Sequence, residues 1–184
     1  MDMHVPFLSR YADRRVVLPG DGITCPQELV DELQANQLIV DATTVTDGQC
    51  GLHAFLISLA DARHRWPSLT RTCAWKTLAR FRPVQSKLTH LRDIAVRWLQ
   101  KFSRTTLWEG VTVRQFVASS MSNEVNGFGD YIQKMSQTTY WIDGAVLHAL
   151  GIIFKVDVML FQHGSDVAFV GEVLDSMNPL AVRR

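Results

Sequence analysis

The sequence runs to 184 residues, 47% of them hydrophobic and 20% charged, with a formal net charge of +1. That length suits one domain (residues 1–184) and crowds two, and the apolar fraction suffices for a buried core, which excludes wholesale disorder. No apolar run reaches the roughly 18–20 residues of a membrane span, and the opening Met-Asp-Met-His-Val-Pro lacks the basic and apolar regions of a Sec-type signal peptide.

Along the chain, residues 3–9 read as a short strand, which Pro6 confines to a sheet edge. Arg15–Leu18 reads as a second, stopped by the turn signal Pro19-Gly20-Asp21-Gly22. Pro26 and the acids behind it mark a helix start after Thr24 or Cys25. The polar loop Asp47-Gly48-Gln49 then leads into Cys50–Ala60. There Leu52, Phe55, Leu56 and Leu59 have the spacing of a buried helix face, so Cys50 opens a helix anchored in the core. Residues 72–82 and 84–102 read as two helices split at Pro83. Leu88, Leu91, Ala95, Trp98, Leu99 and Phe102 form the apolar stripe of the second. Short helices are expected over 111–121 and 128–136, and a further helix over Asp143–Phe154 with Val146, Leu147, Leu150 and Phe154 inward. Lys155–Phe161 reads as a central strand, and Val167–Leu174, beyond the turn Gly164-Ser165-Asp166, as its hairpin partner. The fold class is α+β, with helices in the middle and strands near both ends.

Three cysteines, Cys25, Cys50 and Cys73, form no C-x-x-C pair. The odd count argues against a disulfide framework and against a four-cysteine zinc site, and it fits a reducing, cytosolic compartment. No metal or cofactor is called for. The net charge hides an asymmetry: residues 63–104 carry eleven of the nineteen Lys and Arg and one acid, Asp93, for a local charge of +10, which leaves −9 on the rest. Lys76, Arg80 and Lys87 share a helical spacing, as do Arg97, Lys101 and Arg104. Such a row is a solvated face, or a contact for an acidic partner, anionic lipid or nucleic acid. Trp75, Phe81 and Trp98 among these charges suit packing better than base stacking.

Cys50 stands where chemistry is easiest to place. A thiol becomes a strong nucleophile when its pKa is lowered, as a helix N-terminus or a nearby imidazolium does. The N–H groups of the loop and first turn can face a developing oxyanion. Gly48 and Gly51 bracket the thiol and leave room for a substrate backbone. The bland alternative is a small core cysteine at a helix start.

Asp47-Gly48-Gln49-Cys50-Gly51-Leu52-His53-Ala54-Phe55 resembles the D-G-x-C-x-x-[HR]-A signature of OTU (ovarian tumour) cysteine proteases. Asp130–Ser136 through Tyr140-Trp141-Ile142-Asp143 resembles that family's tyrosine–methionine helix and tryptophan turn. Leu147–Leu150 with Val156–Phe161 resembles its passage from helix to central strand. The resemblance covers roughly residues 41–161. It implies a papain-like α+β fold, a small central sheet flanked by helices, and hydrolysis of isopeptide bonds at the C-terminus of ubiquitin, by a Cys–His pair often joined by Asp or Asn. The partner it implies is ubiquitin, polyubiquitin or a ubiquitin-like protein, with no nucleic acid. One departure stands out: the family's catalytic histidine lies in a last strand, whereas here His163 follows the central strand at once and no histidine comes after it. Met3-His4-Val5-Pro6-Phe7-Leu8 resembles the family's histidine strand instead, so the resemblance implies a permuted order with His4 as general base and Cys50 as nucleophile. Asp2, two residues before His4, or Asn178 is the third member, or the pair acts without one; His163 is the rival base. Asp47, Gly48 and Gln49 frame the oxyanion hole, and Trp141 either walls the channel for Gly-Gly or is a core tryptophan. His53 and His148 read as structural, and His64 and His90 as surface. A compact permuted domain of this kind also suits an effector that a bacterium delivers into host cytosol by a non-Sec route. The alternatives are a degenerate OTU-like module that grips ubiquitin without turnover and, further off, a basic helical domain that binds nucleic acid.

Overall fold

The computed structural model describes residues 15–19, 31, 39–44, 48–65, 67, 71–121, 125–156, 158–159 and 169–170. Among them the chain is mixed α+β. Strands β1 (Arg15–Pro19) and β2 (Ile39–Thr44) pair in parallel, with Arg15 opposite Ile39 and Pro19 opposite Thr44. A parallel pair needs a crossover; apart from Asp31, the residues between the two strands lie outside the described residues. The expected strand over 3–9, the turn at 20–22 and, apart from helical Asp31, the helix after Thr24 or Cys25 lie outside the described residues.

The helical part follows the sequence closely. Helix α1 (Cys50–Arg65) buries Leu52, Phe55 and Leu59. Helix α2 (Cys73–Leu78) is capped by Thr72, whose hydroxyl accepts from the Trp75 N–H at 3.2 Å. It is shorter than the expected 72–82. Pro83, which cannot extend it, instead stands as the cap residue of α3 (Val84–Lys101). Helix α3 buries Leu88, Leu91, Ala95, Val96 and Leu99, and with them Arg92.

Strands β3 (Thr106–Trp108) and β4 (Val111–Thr112) form a hairpin that the sequence reading missed. Its two loop residues, Glu109 and Gly110, have φ of 45° and 81°, the left-handed pair of a two-residue turn. Thr112 then caps α4 (Val113–Ser120) in a reciprocal capping box with Gln115. Helix α5 (Phe128–Met135) starts after Gly127 at φ 89°. Helix α6 (Gly144–Phe154) starts at Asp143, whose carboxylate accepts from the N–H groups of Ala145 and Val146 at 3.0 and 3.1 Å.

Helix α6 is the centre. Residues Ala145–Gly151 are all buried, so this helix is enclosed rather than one-faced. Its longest contact is with α3; α1, α2 and α4 also touch it, and Phe154 meets Phe55 of α1 edge-on at 5.7 Å. Strands β1 and β2 lie against α1. Beyond α6, β5 (Val158–Met159) pairs antiparallel with β6 (Phe169–Val170), as expected of a hairpin, and packs on α6. Among the described residues the strands therefore form three separate pairs. Of the segment read as one central strand, Val158 and Met159 pair, Lys155 and Val156 precede them outside the strand, and residues 157, 160 and 161 lie outside the described residues. No helix among the described residues is long and apolar enough to cross a membrane.

Candidate active site

Cys50 is the first residue of α1, half-buried, and carries a thiol rather than a disulfide. The helix begins as it does because the Gln49 carbonyl accepts from the N–H groups of both Leu52 and His53, at 2.9 and 3.0 Å. The N–H groups of a helix's first turn make its N-terminus favourable to an anion. The Gln49 side chain does not reach into solvent: it is 9% exposed, and its Oε1 accepts from Gln85 Nε2 at 3.2 Å.

The loop ahead of the thiol rests on a second segment, residues 138–142. A Cβ added at Gly48 would stand 2.6 Å from the Thr139 carbonyl oxygen, and one at Gly51 would stand 2.7 Å from Ile142 Cδ1. Gly48 is thus required by close approach of backbone to backbone, whereas at Gly51 the flexible tip of Ile142 would have to give way. This corrects the expectation that the two glycines leave room for a substrate backbone: the side-chain position at each is turned toward 138–142.

A buried arginine binds these pieces together. Arg92 of α3 is 2% exposed. Its Nη1 donates to the Met135 carbonyl at 2.9 Å, and its Nη2 donates to the carbonyls of Gly48 at 2.8 Å and Tyr140 at 3.0 Å. Sequence reasoning counted Arg92 within the basic stretch and missed it. The signal was present, since Arg92 falls at i+1 and i+4 from Leu91 and Leu88 and three before Ala95, inside the apolar stripe.

Segment 138–142 is anchored at its far end. The Tyr131 hydroxyl donates to Asp143 Oδ1 at 2.8 Å, and the same oxygen caps α6. Burial, reinforced by the neighbouring Asp143 carboxylate, raises the pKa of Tyr131 far above its ordinary value and keeps the hydroxyl a donor. Burial also raises Asp143, against the hydrogen bonds from Tyr131 and the helix N–H groups that favour its charge. Between these anchors Trp141 is 55% exposed. That excludes a core tryptophan and leaves a large aromatic surface beside the segment that abuts Gly51.

The remaining histidines divide by burial. His148 is enclosed within α6, edge-on to Phe116 at 5.1 Å, and burial pushes its pKa down to about 4, so it is a packing residue. His53 is half-buried in the first turn of α1. His90 corrects the surface reading: it is half-buried and stacked on Phe81 at 4.6 Å. Desolvation, with a smaller push from Arg97, lowers its pKa against the pull of Asp93. Lys76, Arg80, Arg97, Lys101 and Arg104 are exposed, Lys87 is half-buried, and Arg97 pairs with Asp93 at 2.6 Å. Trp75, Phe81 and Trp98 are all half-buried, as packing residues should be.

Asp2, His4, Asp47, His163 and Asn178 lie outside the described residues, as does Cys25. Among the described residues no group of three or more His, Cys, Asp or Glu is arranged to hold a metal ion. What the arrangement offers chemically is a half-exposed thiol on a helix N-terminus, a loop of fixed backbone before it, and an exposed indole on the neighbouring segment. Compared with protein families, with curated proteins and with solved structures, the chain finds no match.

Proposed function

We propose that this chain is a thiol-dependent deubiquitinase of the OTU kind, with a papain-like fold in permuted order. Cys50 adds to the carbonyl carbon of the isopeptide bond, and the carbonyl π pair moves to oxygen. N–H groups around Asp47–Cys50 hold that oxyanion. His4, oriented by Asp2, takes the thiol proton and gives it to the leaving lysine amine as the C–N bond breaks. Water then hydrolyses the thioester by the same route in reverse roles.

The observation that carries the reading is spatial. Two of the sequence segments on which the resemblance rests meet beside the cysteine, since Gly48 and Gly51 lie against Thr139 and Ile142, and the helix that carries part of the third touches α1, where Phe154 meets Phe55. What supports the reading is that the tryptophan turn stands directly against the glycines flanking Cys50.

The test is a ubiquitin bearing a C-terminal electrophile. The expected result is a covalent adduct at Cys50 that persists in Cys25→Ala and Cys73→Ala and is absent from Cys50→Ala and His4→Ala. Loss of a positioned base costs about 10²–10⁴-fold in rate. Ubiquitin binding with no adduct selects the non-catalytic module; full cleavage by Cys50→Ala ends the proposal.

A further inference from the structure

The bonds made by Arg92 give it a task beyond packing. Its guanidinium is planar and permanently charged, with donors in a fixed fork, so the three carbonyls it binds are held in a fixed relation to one another. Met135 ends α5, where outward carbonyls and the helix dipole favour a cation. Tyr140 immediately precedes the exposed Trp141. Gly48 lies two residues before Cys50.

The Gly48 bond matters most. The peptide joining Gly48 to Gln49 is planar and trans, so its C=O and N–H point in opposite directions. With the carbonyl turned toward Arg92, the Gln49 N–H is turned the other way, one residue ahead of the thiol. A cation on the carbonyl also withdraws charge through the amide and strengthens that N–H as a donor. The Thr139 carbonyl, 2.6 Å from where a Gly48 Cβ would stand, keeps position 48 free of any side chain.

We infer that Arg92 is a positioning residue for the reaction at Cys50: by holding the Gly48 carbonyl it orients and polarises the Gln49 N–H as an oxyanion donor, and through Met135 and Tyr140 it ties the wall of the site to the same cation. This rests on the thiol-protease reading. It names which of the loop's N–H groups is prepared for the oxyanion, and what prepares it.

The test uses ubiquitin with a C-terminal aldehyde. The Cys50 thiolate adds to the aldehyde carbon, the π pair moves to oxygen, the base keeps the thiol proton, and the resulting thiohemiacetal presents the oxyanion. Arg92→Lys retains a cation without the fork. It should weaken aldehyde binding by about 10²–10³-fold, the scale of one lost oxyanion donor, while unmodified ubiquitin binds within about threefold of wild type. In the wild-type protein, which needs no variant to fold, the Gln49 amide proton should move downfield when the aldehyde adds. Equal losses for aldehyde and unmodified ubiquitin, or an unmoved Gln49 proton, overturn the inference. Wild-type protein inert to the aldehyde overturns the protease reading instead, and the positioning role falls with it.

Discussion

His148 shows what one buried side chain does to the stability of the chain. Its imidazole sits at the middle of α6 with its pKa pushed down from 6.5 to about 4 by burial. Between those values the unfolded chain takes up a proton that the folded chain refuses. The stability contributed is therefore complete above pH 6.5 and is lost as pH falls toward 4. At about 1.4 kcal/mol per pKa unit, the step from pH 7 to pH 5 removes about 2 kcal/mol. Asp143 acts in the opposite sense: its raised pKa gives stability at low pH that is lost as pH rises through the folded value. Urea midpoints of wild type and His148→Leu at pH 7 and 5 separate the two groups. The wild type should lose about 2 kcal/mol more than the variant, and equal losses would show that His148 is not held neutral. The structural role of His148 was legible, because it stands in the middle of a helix whose sequence is apolar on both sides of it. The role of Arg92 was not read, because a count of charges does not distinguish an arginine inside an apolar stripe from one beside it.

Elements are fixed mainly at their ends, and the junction of α5 and α6 is the clearest case. Asp143 both caps α6 and receives the Tyr131 hydroxyl. Asp143→Ala removes a cap worth about 1 kcal/mol and leaves a buried hydroxyl unsatisfied at a further cost of about 1–3 kcal/mol. Tyr131→Phe leaves the cap in place and should cost only about 1 kcal/mol. Chemical denaturation should rank the two in that order; equal losses would mean that the cap bonds contribute nothing. These ends could be read directly: Pro83 splits two helices, Cys50 opens one, and Asp143 begins another. Two elements escaped. Ile39–Thr44 is rich in β-branched residues, yet it lacks alternation and its partner β1 lies far back in the sequence. The β3–β4 hairpin turns on Glu109-Gly110 rather than an Asn-Gly or Asp-Gly signal, and its strands are too short to show a period.

At the scale of the molecule the charge is sorted. Most of the +10 of residues 63–104 lies on exposed side chains of α2, α3 and the turns beside them, with Arg92 the buried exception. Exposed charge of this kind acts on encounter and is screened beyond a Debye length of about 8–10 Å. Under the deubiquitinase reading, replacing Lys76, Arg80 and Lys87 together by Glu should lower kcat/KM about 10-fold at low ionic strength. The deficit should shrink as salt rises, with kcat unchanged. Initial rates across a salt series check this; a variant equal to wild type at low salt would leave a solvated face that meets no substrate. The sign and place of this charge came straight from the sequence. How the strands are grouped did not, since pairing joins residues far apart in the chain and the periodicity of a single segment carries no information about its partner.

The enclosure of α6 bears on how any variant of this protein must be assayed. Eleven residues are too few for a stable isolated helix in water, and GAVLHALGIIF contains no charged side chain to keep it dispersed once its neighbours part. A substitution that loosens α3 or the Asp143 cap uncovers this segment, and uncovered apolar segments self-associate. Under the deubiquitinase reading, damage far from Cys50 will then register as protein missing from the supernatant, with the molecules that remain turning over at the normal rate. Under that reading, activity per milligram loaded and activity per titrated thiol will disagree for structural variants and agree for variants of the site.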